Sequence, residues 1–169
     1  MSKEKSSVYE KDGKAIVAFR GSADKRDLLT DVALVRGVLK KTPRYKEEER
    51  LVKEVIAKYG KDNVELTGHS LGGTIAKDLS RQTGVKATTY NKGSSTKDFV
   101  EGVIDRVAVK VNPKGKRAKT AKLTTNYRTK YDPVSLMGAT AVNTKLVKPT
   151  KGVHTIESFR GRGVKKIIL

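Results

Sequence analysis

One serine, set between two glycines where a predicted strand meets a predicted helix, constrains this chain more than any other feature. Residues 64–67 have the pattern of a short strand, and apolar residues recur at helical spacing over residues 71–82. Between these segments the chain reads Gly68-His69-Ser70-Leu71-Gly72, a G-x-S-x-G pattern. In a strand–turn–helix setting this pattern forms a nucleophile elbow, which holds the serine hydroxyl at the carboxyl edge of a sheet. We predict that Ser70 is a nucleophile; the other interpretation is a glycine-rich turn with a capping serine.

The order of segments around this turn is typical of an α/β protein. A hairpin is predicted over residues 8–20 with Asp12-Gly13 in its turn, and a helix is predicted from Pro43 to Gly60. The other predicted helices cover residues 27–39 and 71–82, and the other predicted strands cover residues 64–67, 85–90, 103–111, 121–127 and 139–147. We therefore predict one α/β domain over residues 1–169, with a central, mostly parallel sheet of about six strands flanked by helices.

A serine nucleophile needs a base and an acid that orients the base. The chain has two histidines, and His69 adjoins Ser70, where its side chain should point away from the hydroxyl. His154 is therefore the candidate base. Asp132, which precedes Pro133 at the end of a strand-like segment, is the candidate acid. A turn-initiating Asp-Pro pair is the other interpretation of Asp132, and Asp105 is the second candidate for the acid.

Three ordered motifs resemble the class 3 lipases, the fungal-type family of the α/β-hydrolase superfamily. They are Val17-Ala18-Phe19-Arg20-Gly21-Ser22, Asp27-Leu28-Leu29-Thr30-Asp31 and Leu66-Thr67-Gly68-His69-Ser70-Leu71-Gly72-Gly73. Tyr131-Asp132-Pro133-Val134 and His154 match the later acid and base of that family. The resemblance covers residues 15–159, and it implies a compact α/β-hydrolase fold in a short, minimal member.

The resemblance also implies a role for each matching residue. Ser70 would be the nucleophile, His154 the general base and then acid, and Asp132 the orienting carboxylate. Ser22 and Leu71 would supply the oxyanion hole with its donors. No long lid insertion is visible, and residues 23–41 take its place. These residues form either a lid or a helix packed on the core, and their apolar stripe favours the core.

Charge is the second feature with functional content. The chain carries 37 Lys and Arg against 18 Asp and Glu, a net charge of +19. Residues 106–169 alone carry 16 basic and 2 acidic side chains. Such an excess of positive charge produces an electrostatic field that attracts polyanions. The residues assigned to polyanion or membrane binding are Lys114, Lys116, Arg117, Lys119 and Lys122. An anionic membrane surface is the favoured partner, while nucleic acid is supported by charge only, because few aromatic residues lie among the basic ones.

Together these features predict a serine hydrolase that cleaves carboxylic esters of lipids, or small esters, through an acyl-enzyme on Ser70. The alternative is a basic structural or nucleic-acid-associated protein of the virion type, with little or no activity on a lipase-like scaffold. No cofactor or metal is expected, since the chain has no cysteine and no ligand cluster. No signal peptide or membrane-spanning run is apparent, which favours a cytoplasmic or virion-associated protein. The acyl chain of the substrate and the oligomeric state are left open.

Overall fold

A single six-stranded sheet organises the part of the chain that the computed structural model describes, residues 5–21, 38–136 and 141–159. The strands lie side by side in chain order: β1 (Ser6–Lys11), β2 (Lys14–Phe19), β3 (Val64–His69), β4 (Lys86–Tyr90), β5 (Thr124–Thr129) and β6 (Asn143–Val147). β1 pairs with β2 antiparallel, and each later pair is parallel. The predicted compact α/β fold with a mostly parallel sheet is thereby confirmed.

The antiparallel pair is the hairpin predicted from the Asp-Gly signal. Asp12 and Gly13 have φ angles of 52° and 72°, the positive values that a two-residue hairpin turn of type I′ requires. The register pairs Lys11 with Lys14 and Val8 with Val17. This hairpin lets β2 enter the parallel part of the sheet beside β3.

Four helices are described, and their ends follow local capping chemistry. They are α1 (Pro43–Tyr59), α2 (Leu71–Thr83), α3 (Thr96–Val111) and α4 (Lys116–Lys122). The hydroxyl of Thr42 accepts a hydrogen bond from the backbone N–H of Tyr45, and Pro43 opens α1. α2 ends at Gly84, which has φ 75° in the left-handed region. The predicted bounds of α1 and α2 are confirmed to within one residue.

The hydrophobic core lies between one face of the sheet and the first two helices. Ala15, Val17, Leu66 and Ala87 share that face, because side chains alternate along strands in register. The helical residues that complete the core are Tyr45, Val52, Val55, Ile75, Ala76 and Leu79. α3 extends the helical layer through ion pairs with α2 rather than through apolar packing.

Three predictions of secondary structure need correction or fall outside the described residues. The strand predicted over residues 103–111 is wrong, because that segment is the second half of α3. Residues 121–122 end α4, so the strand predicted from 121 begins only at Thr124. The helix predicted over residues 27–39 and the suggested lid over residues 23–41 fall mostly outside the described residues; of that segment, Leu39–Lys41 form a short 3-10 helix.

The parallel strands give the sheet two chemically different edges. Ser70 follows the carboxyl end of β3, Asn91 that of β4, and Asp132 lies three residues beyond β5. Lys61 and Gly84 precede the amino ends of β3 and β4. Ligands of open parallel sheets bind beyond the carboxyl ends of the strands, so the candidate site is expected at the edge that carries Ser70. Within the described ranges, no helix has both the length and the apolar content needed to cross a bilayer.

Candidate active site

The turn that carries Ser70 is strained and closely packed. Ser70 has φ 55° and ψ −124° and is only 2% exposed, a conformation that a residue other than glycine adopts only where the surrounding structure imposes it. A Cβ on Gly72 would lie 2.1 Å from the carbonyl oxygen of Phe19, and one on Gly68 would lie 2.3 Å from the carbonyl carbon of Gly72. The two glycines therefore let α2 begin directly against β2 and β3.

Backbone hydrogen bonds tie this turn to the loop after β4. The N–H of Ser70 donates to the carbonyl of Tyr90 at 3.1 Å, and the N–H of Gly93 donates to the carbonyl of Ser70 at 3.0 Å. The hydroxyl of Thr74, one turn into α2, donates to the carbonyl of Gly93 at 2.9 Å. The strained conformation of Ser70 is thus held from both sides, as a preorganised group requires.

Asp132 and His154 are brought together although 22 residues separate them. His154 Nδ1 lies 2.9 Å from Asp132 Oδ1, and the carboxylate is fully buried. The same oxygen accepts a hydrogen bond from the N–H of Val134 at 3.1 Å. With the ring proton on Nδ1, that nitrogen donates to the carboxylate and leaves Nε2 as an acceptor.

The second candidate for the acid is occupied elsewhere. Asp105 lies on the inner side of α3, where Arg81 and Arg117 each donate to it at 2.8 Å. The structure therefore brings Asp132, and not Asp105, into contact with His154. It also shows that Arg117, assigned from sequence to polyanion binding, pairs with an aspartate of its own chain.

Four buried side-chain atoms around the elbow have no hydrogen-bond partner among the described residues: His69 Nε2, Ser70 Oγ, Asp132 Oδ2 and His154 Nε2. Two of them, Ser70 Oγ and His154 Nε2, belong to the predicted nucleophile and base. The ring of His154 lies 4.9 Å from the ring of His69, measured between centroids, which places it beside the elbow. The hydrogen bond between a nucleophile and its base is often long before a substrate binds, so this arrangement is compatible with a Ser–His pair.

Asn91 is a residue of this site that the sequence did not reveal. It is fully buried, with φ 40°, directly after β4. Its Nδ2 donates to the carbonyl of Val153 at 3.0 Å, and its Oδ1 accepts from the N–H of Thr129 at 2.8 Å. Asn91 therefore joins the end of β5 to the loop that carries His154. The available signal was an asparagine directly after a predicted strand, at the edge that carries Ser70.

The two predicted oxyanion-hole residues have different outcomes. Leu71 is the first residue of α2, so its backbone N–H has no acceptor within the helix and lies next to Ser70. Ser22 lies outside the described residues. Its neighbour Gly21 is described, and a Cβ there would lie 3.3 Å from the Cβ of Ser70. The last described residue before Ser22 is therefore in contact with the elbow.

The remaining predicted polyanion-binding residues lie at the other edge of the sheet. Lys116, Lys119 and Lys122 are exposed on α4, and Lys114 is exposed just before it. α4 ends at Lys122, two residues before Thr124, the amino end of β5. A strand of six residues spans about 20 Å, so these lysines lie about that far from the edge that carries Ser70. The structure does not bring them to the candidate site.

His69 is expected to resist protonation. Burial, helped by the nearby His154 ring, lowers its pKa from 6.5 to about 4, against the opposing effect of Asp132. Because the unfolded chain binds this proton and the folded chain does not, stability should fall as pH drops from about 6.5 towards 4. Between pH 7.5 and 4.5 the parent is expected to lose about 2 kcal/mol more unfolding free energy than His69→Gln. Urea unfolding at both pH values measures this difference, and equal losses would contradict it.

Comparison with known proteins adds independent information. A family model described as phospholipase-like, the Tle-like phospholipase domain, matches residues 2–165. An extracellular phospholipase A1 of Serratia liquefaciens is 33% identical over 84 residues, which cover 50% of this chain and 25% of that protein. A GDSL esterase/lipase of Arabidopsis thaliana is 35% identical over 66 residues, covering 36% of this chain and 19% of that protein. The chain thus spans about a quarter or less of the length of these relatives.

Proposed function

The chain belongs to the Tle-like phospholipase family, and from that premise we propose that it is a serine hydrolase that cleaves carboxylic esters of lipids through an acyl-enzyme on Ser70. The observation that carries the proposal is the 2.9 Å contact between His154 Nδ1 and Asp132 Oδ1 beside the elbow. Nucleophile, acid and base follow one another in the chain as Ser70, Asp132 and His154, the order of α/β-hydrolases.

In the first half-reaction His154 Nε2 takes the proton of the Ser70 hydroxyl as Oγ attacks the carbonyl carbon of the ester. The negative charge that forms on the carbonyl oxygen faces the amino end of α2, where the N–H of Leu71 is a donor, together with the proposed donor Ser22. When the tetrahedral intermediate collapses, the imidazolium returns the proton to the departing alcohol. Water then hydrolyses the acyl-enzyme by the same steps, which releases the fatty acid and restores Ser70.

Asp132 contributes orientation and electrostatic stabilisation in this scheme. Its carboxylate is fully buried and held by the N–H of Val134, so it keeps the ring of His154 in one tautomer and stabilises the imidazolium formed during the reaction. Asn91 fixes the neighbouring carbonyl of Val153. We propose Asn91 as a positioning residue, because it acts through the loop rather than through the reacting atoms.

The class 3 lipase kinship and the substrate class are finer parts of the same proposal. The ordered Phe19-Arg20-Gly21-Ser22 and Gly68-His69-Ser70-Leu71-Gly72-Gly73 motifs support the kinship. The names of the relatives, a phospholipase A1 and an esterase/lipase, favour acyl esters of lipids as substrates. This chain covers only part of each relative. The kinship and the substrate class are therefore proposed mainly from the site of this chain and from the family match.

Asp132→Asn tests the assignment of the acid. Asparagine keeps the size of the side chain but favours the wrong tautomer of His154, so kcat on a short p-nitrophenyl ester is expected to fall by about 10³–10⁴-fold. The measurement is steady-state hydrolysis, accompanied by thermal unfolding to verify the fold.

Asp105→Asn is the matched control for that experiment, because Asp105 is also buried and hydrogen-bonded. It removes part of the ion pairing with Arg81 and Arg117, so it should lower stability and leave kcat within about threefold of the parent. If Asp105→Asn abolished hydrolysis in a folded protein while Asp132→Asn retained it, the acid would have been assigned to the wrong residue.

A further inference from the structure

α3 is oriented with its polar side inward and its apolar side outward. Asp98, Gly102 and Asp105 are its buried residues. Six of its large apolar residues are 42–77% exposed: Phe99, Val100, Val103, Ile104, Val107 and Val111. We call these six residues the α3 outer face. A helix at the surface of a globular protein normally shows the opposite arrangement.

Ion pairs with α2 and its neighbours determine this orientation. Asp98 pairs with Lys77 at 3.0 Å and with Lys92 at 3.2 Å, and Asp105 pairs with Arg81 at 2.8 Å. The two aspartates are seven residues apart on one side of α3, and Lys77 and Arg81 are four residues apart on one side of α2. Rotating the apolar residues inward would bury them against these charges and break all three ion pairs. The outward position of the α3 outer face is therefore fixed by the fold.

The α3 outer face forms a continuous ridge. At 100° per residue its six members fall within about 140° of the helix circumference, and from residue 99 to 111 they extend for about 18 Å. Lys97 and Arg106 are exposed at its two borders, and Lys110 is exposed within it near the carboxyl end of the helix; residues 106–131 contain no acidic side chain. A helix with one apolar side and basic borders is suited to lie in the interface of an anionic membrane, its apolar residues among the acyl chains and its lysines at the headgroups.

The ridge begins at the candidate active site. The loop just before α3 contains Gly93, whose N–H donates to the carbonyl of Ser70, and Ser94, whose N–H donates to the carbonyl of Val134. Val134 lies two residues after Asp132, and two neighbouring apolar side chains, Tyr131 and Leu136, are 81% and 52% exposed. The amino end of the α3 outer face thus lies next to the rim of the site.

We propose that the α3 outer face docks this protein on a bilayer that contains anionic phospholipids and so brings the Ser70 edge to its lipid substrate. The proposal rests on the function proposed above, and it assigns docking to the apolar face of α3 rather than to the lysines of α4. A bilayer fits better than a protein partner, since the surface is a convex ridge formed mostly by branched aliphatic residues, with Phe99 as its single aromatic member.

Co-sedimentation with vesicles tests the proposal. The protein carries Ser70→Ala so that lipid is not consumed, and the vesicles contain phosphatidylcholine alone or with phosphatidylglycerol. Val103→Ser with Val107→Ser is expected to lower the partition coefficient on anionic vesicles at least tenfold, and Lys97→Glu with Lys110→Glu at least fivefold. Serine and valine have similar helix propensities, so α3 should stay folded, as circular dichroism will verify.

Matched controls change the same residue types elsewhere. Val8→Ser with Val38→Ser removes two other exposed valines, and Lys116→Glu with Lys119→Glu reverses two charges on α4; both should bind within twofold of the parent. Parental binding by Val103→Ser with Val107→Ser would overturn the proposal, as would a loss seen only with the α4 variant. A dimer without lipid that these serine substitutions dissociate would also overturn it, since the ridge would then be a protein interface.

Hydrolysis of a short soluble ester separates this proposal from the function on which it rests. In the background with an intact Ser70, the α3 variants should hydrolyse the soluble ester at the parental rate and lose activity only on vesicles. If the parent failed to hydrolyse the soluble ester, the proposed function would fail, while the vesicle-binding results would still decide the role of α3. Equal loss on both substrates would mean that α3 acts on the site itself, which would contradict docking.

Discussion

Ser70→Ala is expected to lower kcat on a short soluble ester by about 10⁴–10⁶-fold while leaving the protein folded. Removing the nucleophile eliminates the acyl-enzyme route and leaves only the stabilisation supplied by the oxyanion donors and by binding. The effect on stability should be small or favourable, because the hydroxyl is buried without a hydrogen-bond partner among the described residues. A buried polar group without a hydrogen-bond partner lowers the free energy of unfolding, so its removal should not destabilise the fold.

Ser80→Ala is the matched control for that prediction. Ser80 is also fully buried, but its hydroxyl donates to the carbonyl of Val85 at 2.6 Å. Its removal leaves that carbonyl unpaired, so the free energy of unfolding should fall by about 1–3 kcal/mol while kcat stays near the parental value. Urea unfolding and steady-state hydrolysis on both variants give the two readouts. Hydrolysis by Ser70→Ala at the parental rate would show that another group is the nucleophile.

Gly72→Ala should have the largest effect on stability of any substitution considered. The added Cβ would lie 2.1 Å from the carbonyl oxygen of Phe19 and 2.7 Å from its carbonyl carbon. These are backbone atoms of a strand paired on both sides, so β2 and α2 would have to separate. Overpacking typically costs about 1–3 kcal/mol where side chains adjust. Here we expect at least 3 kcal/mol, a large part of the roughly 5–15 kcal/mol that a domain has.

Gly13→Ala gives the comparison for Gly72→Ala. No heavy atom lies within 4 Å of a Cβ at Gly13, so that substitution costs only the positive φ of 72°, about 1 kcal/mol. Denaturant midpoints for the two variants isolate the effect of close packing. If the two variants had the same denaturant midpoint, the result would contradict the close packing of α2 against β2.

Features that depend on a few neighbouring residues could be predicted from the sequence alone. The hairpin follows from Asp12-Gly13, α1 from Thr42 and Pro43, and the elbow from two glycines around a serine. Turn and cap conformations are set by local sterics and by hydrogen bonds within about four residues, so the neighbouring residues are sufficient to predict them. His154 could be named as the candidate base because the chain has two histidines and the other one, His69, adjoins Ser70.

Features that depend on distant partners required the tertiary structure. The alternating valines of residues 103–111 favour a strand, yet Asp98 and Asp105 pair with Lys77 and Arg81 and hold the segment as α3, because tertiary contacts override weak local propensity. The hydrogen bond that Asn91 donates to the loop carrying His154 arises in the same way. The lysines of α4 and Ser70 lie at opposite edges of one sheet, and strand direction, not distance along the chain, separates them. The side of α3 that faces the core is determined by Lys77 and Arg81, which lie more than twenty residues before their partners in the chain. A local sequence pattern contains no information on where such distant groups lie in the fold.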